Sequence, residues 1–280
     1  MREINVSEII NVVEKLCVEA NLRLPLDIEQ SFHDCKTKET EDLPCRIFDT
    51  MIKNLEVAQQ KQIPICQDTG MALVFLKVGQ DVHITGGGLT NAINEGVRRG
   101  YVNGYLRLSV VKDPLIRENT NDNTPAIIYT EIVDGDKLEI MVAPRGFGSE
   151  NMSKMKMFNP SATKDDVVKF VVDSCIEAGS NPCPPIIVGV GLGGTSEKAG
   201  LLAKEAMLRP LEETNETELY SDMESEILEK INQSGIGPQG LGGKTTAISV
   251  AINTYPTHIA GMPCVVNIGC HITRHKSATI

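Results

Sequence analysis

Hydrophobic residues recur at helical spacing through the first fifth of the chain. Ile9, Val13 and Leu16 fall on one face of a helix, and a second pattern of the same period covers 47–58. An unbroken aliphatic run over 71–79 follows, with the length and composition of a buried strand. The chain is therefore predicted to begin with helices and then to turn to strands.

The rest of the chain alternates between the two patterns. Helical patterns cover 89–100, 165–179, 195–211 and 217–233, and strand-like runs cover 125–133, 137–143, 184–190, 244–252 and 264–270. Asp134-Gly135-Asp136 lies between two of the strand runs and predicts a hairpin. No internal repeat is visible. The pattern predicts a mixed α/β fold: a single domain over 1–280 with a helical N-terminal part and a mixed sheet.

The composition limits which partners the protein can bind. The 280 residues include 27 Lys and Arg and 37 Asp and Glu, which gives a formal net charge of −10. Such a chain is poorly suited to binding nucleic acid or an anionic membrane. No apolar run reaches the roughly 18 residues of a transmembrane helix, and the N-terminus lacks the basic and apolar blocks of a signal peptide. We therefore expect a cytoplasmic protein.

Two glycine-rich segments resemble nucleotide-binding loops. Gly189 to Gly194 fits the G-x-G-x-x-G pattern, but the polar stretch that follows offers no second strand ending in an acid. Gly240 to Thr245 resembles the end of a phosphate-binding loop, with Pro238 where that motif requires glycine. Tight turns beside strands explain these glycines better. A nucleotide-binding domain that uses the first segment remains the alternative from another functional class.

The eight cysteines occur at positions 17, 35, 45, 66, 175, 183, 264 and 270. No two have the C-x-x-C spacing of a zinc ribbon or a ferredoxin, and a cytoplasmic chain keeps its thiols reduced. Most thiols of this kind are small buried core residues. Cys66, however, directly precedes Gln67 and Asp68, while Cys183 lies between prolines and Cys270 precedes a histidine. Spacing alone does not say whether these segments meet.

Several ordered blocks of the sequence match one enzyme family. The most specific are IPICQDTG (63–70), TGGGLTNAINEGVRRGY (85–101), APRGFGSENMS (143–153), NPCPPIIVGVGLGGTSEKAGLLAKEAMLRPL (181–211) and the segment 235–275. In these blocks the chain resembles the α subunit of two-subunit class I fumarate hydratases and L(+)-tartrate dehydratases, which are iron–sulfur hydro-lyases. The resemblance begins near residue 10 and reaches the C-terminus. It implies the fold of the N-terminal, fumerase-type domain of the single-chain class I enzymes.

The resemblance implies a [4Fe–4S] cluster held by three cysteines. The matching positions are Cys66, Cys183 and Cys270, and Cys264, on the same predicted strand as Cys270, is the alternative for the third ligand. Three thiolate ligands leave one iron with an open coordination position, which a Lewis acid needs and an electron carrier does not. We expect such an exposed iron to be sensitive to oxygen.

The family also implies a set of residues that act on the substrate. Gln67 and Asp68 would line the substrate pocket, with Asp68 also acting in acid–base catalysis. Arg107 would bind a substrate carboxylate through its planar guanidinium group. The backbone N–H of Gly148 would contact the substrate, and His258 would be a second catalytic residue that hydrogen-bonds the substrate or tunes the site.

The resemblance finally implies a reaction and a partner. The expected reaction is the reversible dehydration of a small 2-hydroxy-dicarboxylate, with (S)-malate to fumarate placed first and L(+)-tartrate to oxaloacetate as the alternative. The single-chain relatives continue into a second domain that nothing in this sequence matches. We therefore expect a separate β subunit to complete the site, in a hetero-oligomer such as α2β2, and the α subunit alone to be inactive or nearly so.

Overall fold

The computed structural model describes all 280 residues. The helices are α1 (Val6–Leu22), α2 (Leu26–Lys38), α3 (Asp42–Lys61), α4 (Leu89–Asn103), α5 (Phe147–Glu150), α6 (Lys164–Ala178), α7 (Ser196–Ala206) and α8 (Glu218–Asn232), with a 3-10 turn over Pro238–Gly240. The strands are β1 (Arg2–Asn5), β2 (Met71–Gly79), β3 (Val82–Thr85), β4 (Ile127–Val133), β5 (Leu138–Arg145), β6 (Lys154–Phe158), β7 (Ile186–Gly193), β8 (Ala247–Tyr255), β9 (Met262–Gly269) and β10 (Lys276–Thr279). The predicted mixed α/β class is confirmed.

The chain divides into two compact units. Unit 1 comprises Met1–Pro25, Leu55–Gly146 and Arg274–Ile280, and unit 2 comprises Leu26–Asn54 and Phe147–Thr273. The chain passes from one unit to the other four times, after residues 25, 54, 146 and 273, so neither unit is a continuous segment. Each unit has its own sheet and its own core. One domain over 1–280 stays a prediction.

Unit 1 is built on a four-stranded sheet whose order is β10-β5-β2-β4. β4 runs parallel to β2, whereas β5 is antiparallel to β2 and to β10. The helices α1 and α4 pack against each other, and their buried faces supply Ile9, Val13, Val97 and Tyr101 to the core. Each fully buried aliphatic side chain stabilises the unit by about 1.5–3 kcal/mol. β1 and β3 form a separate parallel pair.

Unit 2 is built on a second four-stranded sheet, with the order β6-β9-β7-β8. β8 runs parallel to β7, whereas β9 is antiparallel to β7 and to β6. Every residue of β7 is buried. Because side chains alternate along a strand, Val188 and Val190 face the core that α6 and α8 complete, while Gly189 and Gly191 face α7.

The predicted hairpin around Asp134-Gly135-Asp136 is wrong. β4 and β5 lie on opposite sides of β2 and do not pair with each other. The turn carries the chain across the end of β2, where the N–H of Gly79 donates to the Lys137 carbonyl at 2.8 Å and that of Gln80 to Val133 at 2.7 Å. The turn composition was recognised correctly. It does not reveal that a long aliphatic strand occupies the position between the two strands that the turn joins.

The other predicted helices and strands are confirmed, with ends shifted by a few residues. β7 and β8, on either side of the polar stretch 211–225, pair in one sheet. The sequence did not indicate β1, β3, β6 or β10, which have only four or five residues each. None of the helices combines the length and the apolar character needed to cross a membrane.

Candidate functional site

The first predicted site segment lies in unit 1, between α3 and β2. Cys66 and Asp68 are half-buried, Gln67 is exposed and Thr69 is buried. Asp68 Oδ1 accepts a hydrogen bond from the backbone N–H of Gly70 at 3.0 Å. An aspartate that bonds to the N–H two residues ahead closes a tight turn. This turn sets the orientation of the carboxylate where the loop enters β2.

Arg107 lies beside this segment although it follows 38 residues after Thr69 in the chain. The backbone N–H of Arg107 donates to Thr69 Oγ1 at 2.9 Å. The same hydroxyl donates to the carbonyl oxygen of Arg107 at 3.3 Å. These two hydrogen bonds hold the backbone of Arg107. Because the residue is exposed, its guanidinium group faces solvent.

Cys183 and Cys270 lie at the same end of the unit 2 sheet. Cys183 precedes β7, is exposed and has a φ of 53°, whereas Cys270 follows β9 and is half-buried. Because β9 is antiparallel to β7 and pairs Gly269 with Ile187, the end of β9 meets the start of β7. The sheet topology therefore brings these two cysteines together.

Two polar side chains hold the backbone around Cys183. Nδ1 of His271 lies 2.9 Å from the carbonyl oxygen of Cys183. Since a carbonyl only accepts, this hydrogen bond requires the tautomer with a proton on Nδ1. The backbone N–H and the side-chain amide of Gln239 both donate to the Pro184 carbonyl, at 2.7 and 2.8 Å. Neither His271 nor Gln239 is indicated by the sequence, because no motif marks a side chain that bonds to a backbone carbonyl.

Gly148 lies in α5 and is exposed. A Cβ atom built at this position would lie 3.8 Å from the carbonyl oxygen of Asn181, an ordinary contact distance. Gly148 is therefore next to the segment that carries Cys183, and its contact with the substrate stays a prediction. Packing within unit 2 does not itself require a glycine here.

His258 lies at the opposite end of the unit 2 sheet. It is exposed in the connection between β8 and β9, where the N–H of Gly194 donates to the Pro256 carbonyl at 3.2 Å just beyond β7. Cys183 and Cys270 flank the other end of β7, whose eight residues span about 25 Å. Within this chain His258 is therefore separated from both unit 2 thiols, and its catalytic role stays a prediction.

Four of the remaining cysteines, Cys17, Cys35, Cys175 and Cys264, are buried. Burial raises the pKa of the Cys175 and Cys264 thiols to about 12 and that of Cys35 to about 11. These groups are therefore held as neutral thiols, and metal ions bind thiolates. Cys264, the alternative third ligand, is thereby placed in the core. The fifth, Cys45, is half-buried on α3.

Neither glycine-rich segment is shaped as a nucleotide site. A Cβ atom at Gly189 or Gly191 would lie 2.0 or 1.9 Å from a backbone oxygen of α7, so these glycines let α7 pack directly on β7. In the second segment, the carboxylate of Glu39 accepts the backbone N–H groups of Lys244 and Thr245, each at 2.8 Å. The chain's own carboxylate thus occupies the donors that would otherwise bind a phosphate.

The structure gathers the predicted residues into two groups. In unit 1 these are Cys66, Gln67, Asp68 and Arg107, and in unit 2 they are Cys183, Cys270 and Gly148. No three His, Cys, Asp or Glu side chains in the structure are arranged as a metal-binding group.

Comparison with protein families adds to this geometry. A family model described as fumarate hydratase (Fumerase) matches residues 10–279. The chain belongs to the Fumerase family. A protein of Methanocaldococcus jannaschii, named provisionally as L(+)-tartrate dehydratase subunit alpha, is 38% identical to it over 274 residues, 95% of each chain. The L(+)-tartrate dehydratase subunit alpha of Escherichia coli (strain UTI89) is 30% identical over 278 residues, 98% of this chain and 91% of its own.

Membership of the Fumerase family makes this chain a hydro-lyase of the fumarate hydratase and tartrate dehydratase type. Enzymes of this kind generally depend on an iron–sulfur cluster, and the donor set of the chain fits one. Cys66, Cys183 and Cys270 lie in loops near strand ends, and none of the three is fully buried. Thiolates are the ligands that such clusters take.

Proposed function

We propose that this chain is the α subunit of a [4Fe–4S]-dependent hydro-lyase that removes water from a small 2-hydroxy-dicarboxylate. The observation that carries the proposal is the pairing of Cys183 and Cys270 at one end of β7 in a chain of the Fumerase family. Four other thiols are enclosed in the cores. This difference in burial supports Cys66, Cys183 and Cys270 as cluster ligands and the four buried thiols as core residues.

L(+)-tartrate, converted to oxaloacetate, is the substrate that we place first. From the family resemblance alone (S)-malate comes first, but relatives that match almost the whole chain are named L(+)-tartrate dehydratase subunit alpha. Both acids present two carboxylates and a hydroxyl on the carbon next to one of them, so the same binding groups suit either. (S)-malate is therefore the second substrate to assay.

The cluster ligands in this proposal are Cys66, Cys183 and Cys270. When bound, such a cluster supplies an iron with an open coordination position, which acts as a Lewis acid toward the substrate hydroxyl. His271 and Gln239 hold the backbone next to Cys183. They position that ligand without binding iron.

Asp68 moves the proton of the substrate, and Arg107 binds one of its carboxylates. The reaction breaks a C–O bond, removes a proton from the neighbouring carbon and releases water, with no net oxidation or reduction. We assign proton transfer to the Asp68 carboxylate, which the N–H of Gly70 orients. The guanidinium group of Arg107 binds one substrate carboxylate through two parallel hydrogen bonds. The amide of Gln67 and the N–H of Gly148 donate to other substrate oxygens.

The complete enzyme in this proposal includes a second kind of chain. The relatives are named as α subunits, which supports a separate β subunit and a hetero-oligomer such as α2β2 in the cytoplasm. The four passages of this chain between its two units support the whole of 1–280 as one functional domain, because neither unit can be expressed as an uninterrupted segment.

The main experiment measures iron and activity in anaerobically purified α–β complex. Cys66→Ser, Cys183→Ser and Cys270→Ser should each lose most cluster iron, the broad visible absorption of the cluster and turnover of both tartrate and malate. Cys45→Ser is the matched control, because Cys45 is also half-buried but lies outside the proposed set. It should keep its iron and its activity.

Three outcomes would refute separate parts of the proposal. A wild-type complex that stays colourless and iron-free after reconstitution would refute the cluster. Full iron content in Cys183→Ser would refute that ligand assignment. Full turnover by the α chain without a β subunit would refute the need for a partner.

The role of Asp68 has its own test. Asp68→Asn should retain iron but lose at least about a hundredfold in kcat, the usual contribution of a general acid or base. Unchanged kcat in an iron-loaded Asp68→Asn enzyme would remove Asp68 from the chemistry.

A further inference from the structure

Thr69 has no role in the proposed reaction, yet its hydroxyl accepts one hydrogen bond and donates another. Its side chain is 2% exposed. Oγ1 accepts the backbone N–H of Arg107 at 2.9 Å and donates to the carbonyl oxygen of the same residue at 3.3 Å. One hydroxyl therefore satisfies both backbone polar groups of Arg107 and ties that residue to the loop that carries Asp68.

The backbone around Thr69 is fixed by three further side chains. Three successive carbonyls each accept one side-chain hydrogen bond: Asp68 from Arg274 Nη2 at 2.6 Å, Thr69 from Tyr101 Oη at 2.8 Å, and Gly70 from Asn123 Nδ2 at 3.1 Å. The donors come from the C-terminal segment, from α4 and from the connection between α4 and β4. All three are at most 4% exposed. Buried donors from separate elements hold the loop rigidly, because no solvent competes for these bonds.

The Asp68 side chain is confined as well as its backbone. Oδ1 accepts the Gly70 N–H at 3.0 Å, and Oδ2 lies 3.0 Å from the point where a Cβ atom at Gly146 would be. The carboxylate therefore packs against a backbone that has no side chain at that point. The loop that contains Thr69 therefore sets the direction of the Asp68 carboxylate.

We propose that Thr69 is a positioning residue that sets the spacing between the Asp68 carboxylate and the Arg107 backbone, and so fixes where the substrate carboxylate lies relative to the group that moves its proton. This inference rests on the proposed function. The Arg107 side chain is exposed to solvent and is long enough to bind a carboxylate in many different geometries. Holding its backbone limits those geometries before the substrate arrives, which lowers the ordering cost of binding.

The test compares three variants in the anaerobically reconstituted α–β complex. Thr69→Val keeps the shape of the side chain but removes the hydroxyl, while Thr69→Ser keeps the hydroxyl. We expect Thr69→Val to raise KM for L(+)-tartrate by about tenfold, the loss expected from one broken hydrogen-bond bridge, with kcat reduced much less. Thr69→Ser should restore KM to within about threefold of wild type. Thr130→Val, the same change at an exposed position of β4, is the control and should leave KM unchanged.

Iron content and the temperature of unfolding separate positioning from folding. Positioning predicts that Thr69→Val keeps wild-type iron per α chain while KM rises. Unchanged KM would overturn the inference, and so would an equal loss of iron, stability and kcat, which indicates a merely structural role. If Thr69→Val does not fold, Tyr101→Phe carries the test, because it removes only the hydroxyl that bonds to the Thr69 carbonyl. Its KM should rise about threefold, and an unchanged KM would again overturn the inference.

Failure of the proposed function gives a different result. A wild-type complex that turns over no hydroxy-dicarboxylate would refute the function and this inference with it. An active wild type whose KM is insensitive to Thr69→Val would refute the inference alone.

Discussion

The two units repeat one strand pattern. In unit 1, the inner strand β2 has β4 parallel to it on one side and β5 antiparallel to it on the other. In unit 2, β8 and β9 have the same relations to the inner strand β7. The remaining strand of each sheet, β10 or β6, is antiparallel to its neighbour β5 or β9. Their places in the chain differ, because β10 is the last strand of its sheet in sequence and β6 is the first. Cys66 precedes β2, and Cys183 precedes β7. The proposed ligands thus lie at corresponding ends of two similar sheets.

The units differ in the kind of close helix packing that glycine permits. In unit 2 the approach is between a helix and a strand, and it depends on Gly189 and Gly191, two residues apart on one face of β7. In unit 1 it is between two helices: a Cβ at Gly96 or Gly100 of α4 would lie 2.6 or 2.7 Å from a Cβ of α1. Glycine spacing follows the period of the element that carries it. The same strand topology is therefore compatible with two kinds of packing.

Alkaline pH should weaken unit 2 more than unit 1, and this is the largest effect that we expect. Unit 2 contains three thiols with raised pKa values, Cys35, Cys175 and Cys264, whereas unit 1 contains Cys17, whose pKa burial also raises. In the unfolded chain thiols ionise with a pKa of about 8.5. Their stabilising contribution is complete below that pH and is lost as the pH rises toward the folded pKa, by about 1.4 kcal/mol per pH unit for each thiol.

Hydrogen exchange by mass spectrometry checks this difference unit by unit. Reduced protein is incubated between about pH 8 and about pH 10 and then labelled in a short pulse at one fixed pH. Peptides from β7 should lose protection at a lower incubation pH than peptides from β2. Equal loss in both units, or no loss in either, would contradict the prediction.

Gly191→Ala should be the most damaging single substitution that we consider. The new Cβ would lie 1.9 Å from the Ala199 carbonyl oxygen and 2.7 Å from the Ala203 nitrogen. These are backbone atoms that cannot rotate away, so we expect a loss of about 4 kcal/mol or more, or no soluble protein. The measurement is the free energy of urea unfolding.

Gly200→Ala is the matched control for Gly191→Ala. Gly200 lies in α7 itself, and a Cβ there would meet no atom within 4 Å. Replacing a helical glycine by alanine should raise the unfolding free energy by about 0.5–1 kcal/mol. Two alanines with effects of the same sign would contradict the account of how α7 packs on β7.

Much of the fold follows from local patterns, whereas the sheet order does not. The run over 71–79 became β2 as predicted, because nine consecutive residues of that composition suit a buried strand. The turn Asp134-Gly135-Asp136 was also found, but its two strands flank β2. Strand neighbours depend on contacts across the whole sheet, which a local pattern does not contain. For the same reason the repeated strand pattern left no repeat in the sequence.

The candidate site could be predicted only where residues match a family motif. Cys66, Cys183 and Cys270 came from resemblance, since ligands contributed by separate loops have no fixed spacing. His258 came from the same resemblance, and the antiparallel course of β9 separates it from Cys270. The donors that hold residues 68–70 carried no signal at all. Their partners are carbonyl groups, which every residue has.

Gly100→Ala tests the close packing of α4 on α1 in unit 1. Its Cβ would lie 2.7 Å from the Cys17 Cβ and 2.9 Å from the Glu14 carbonyl oxygen. The two helices can separate slightly, so we expect a loss of about 1–3 kcal/mol in the free energy of urea unfolding, less than for Gly191→Ala. A loss larger than that of Gly191→Ala would reverse the comparison between the units.

Gly88→Ser should have the smallest effect and the opposite sign. In unit 2, α6 begins with a capping box formed by Thr163 and Asp166, whereas in unit 1 the N-cap of α4 is Gly88, which has no side chain to accept a backbone N–H. Its φ of −82° and ψ of 133° suit a capping serine, and a Cβ there would have only one neighbour, at 3.7 Å. We expect the unfolding free energy to rise by a few tenths of a kcal/mol. The control is Gly86→Ser, two residues earlier, where φ is +83° and a Cβ would lie 2.7 Å from the Asn5 amide nitrogen. This substitution should lower the unfolding free energy. A lower unfolding free energy for Gly88→Ser would show that an uncapped start of α4 does not cost unit 1 stability.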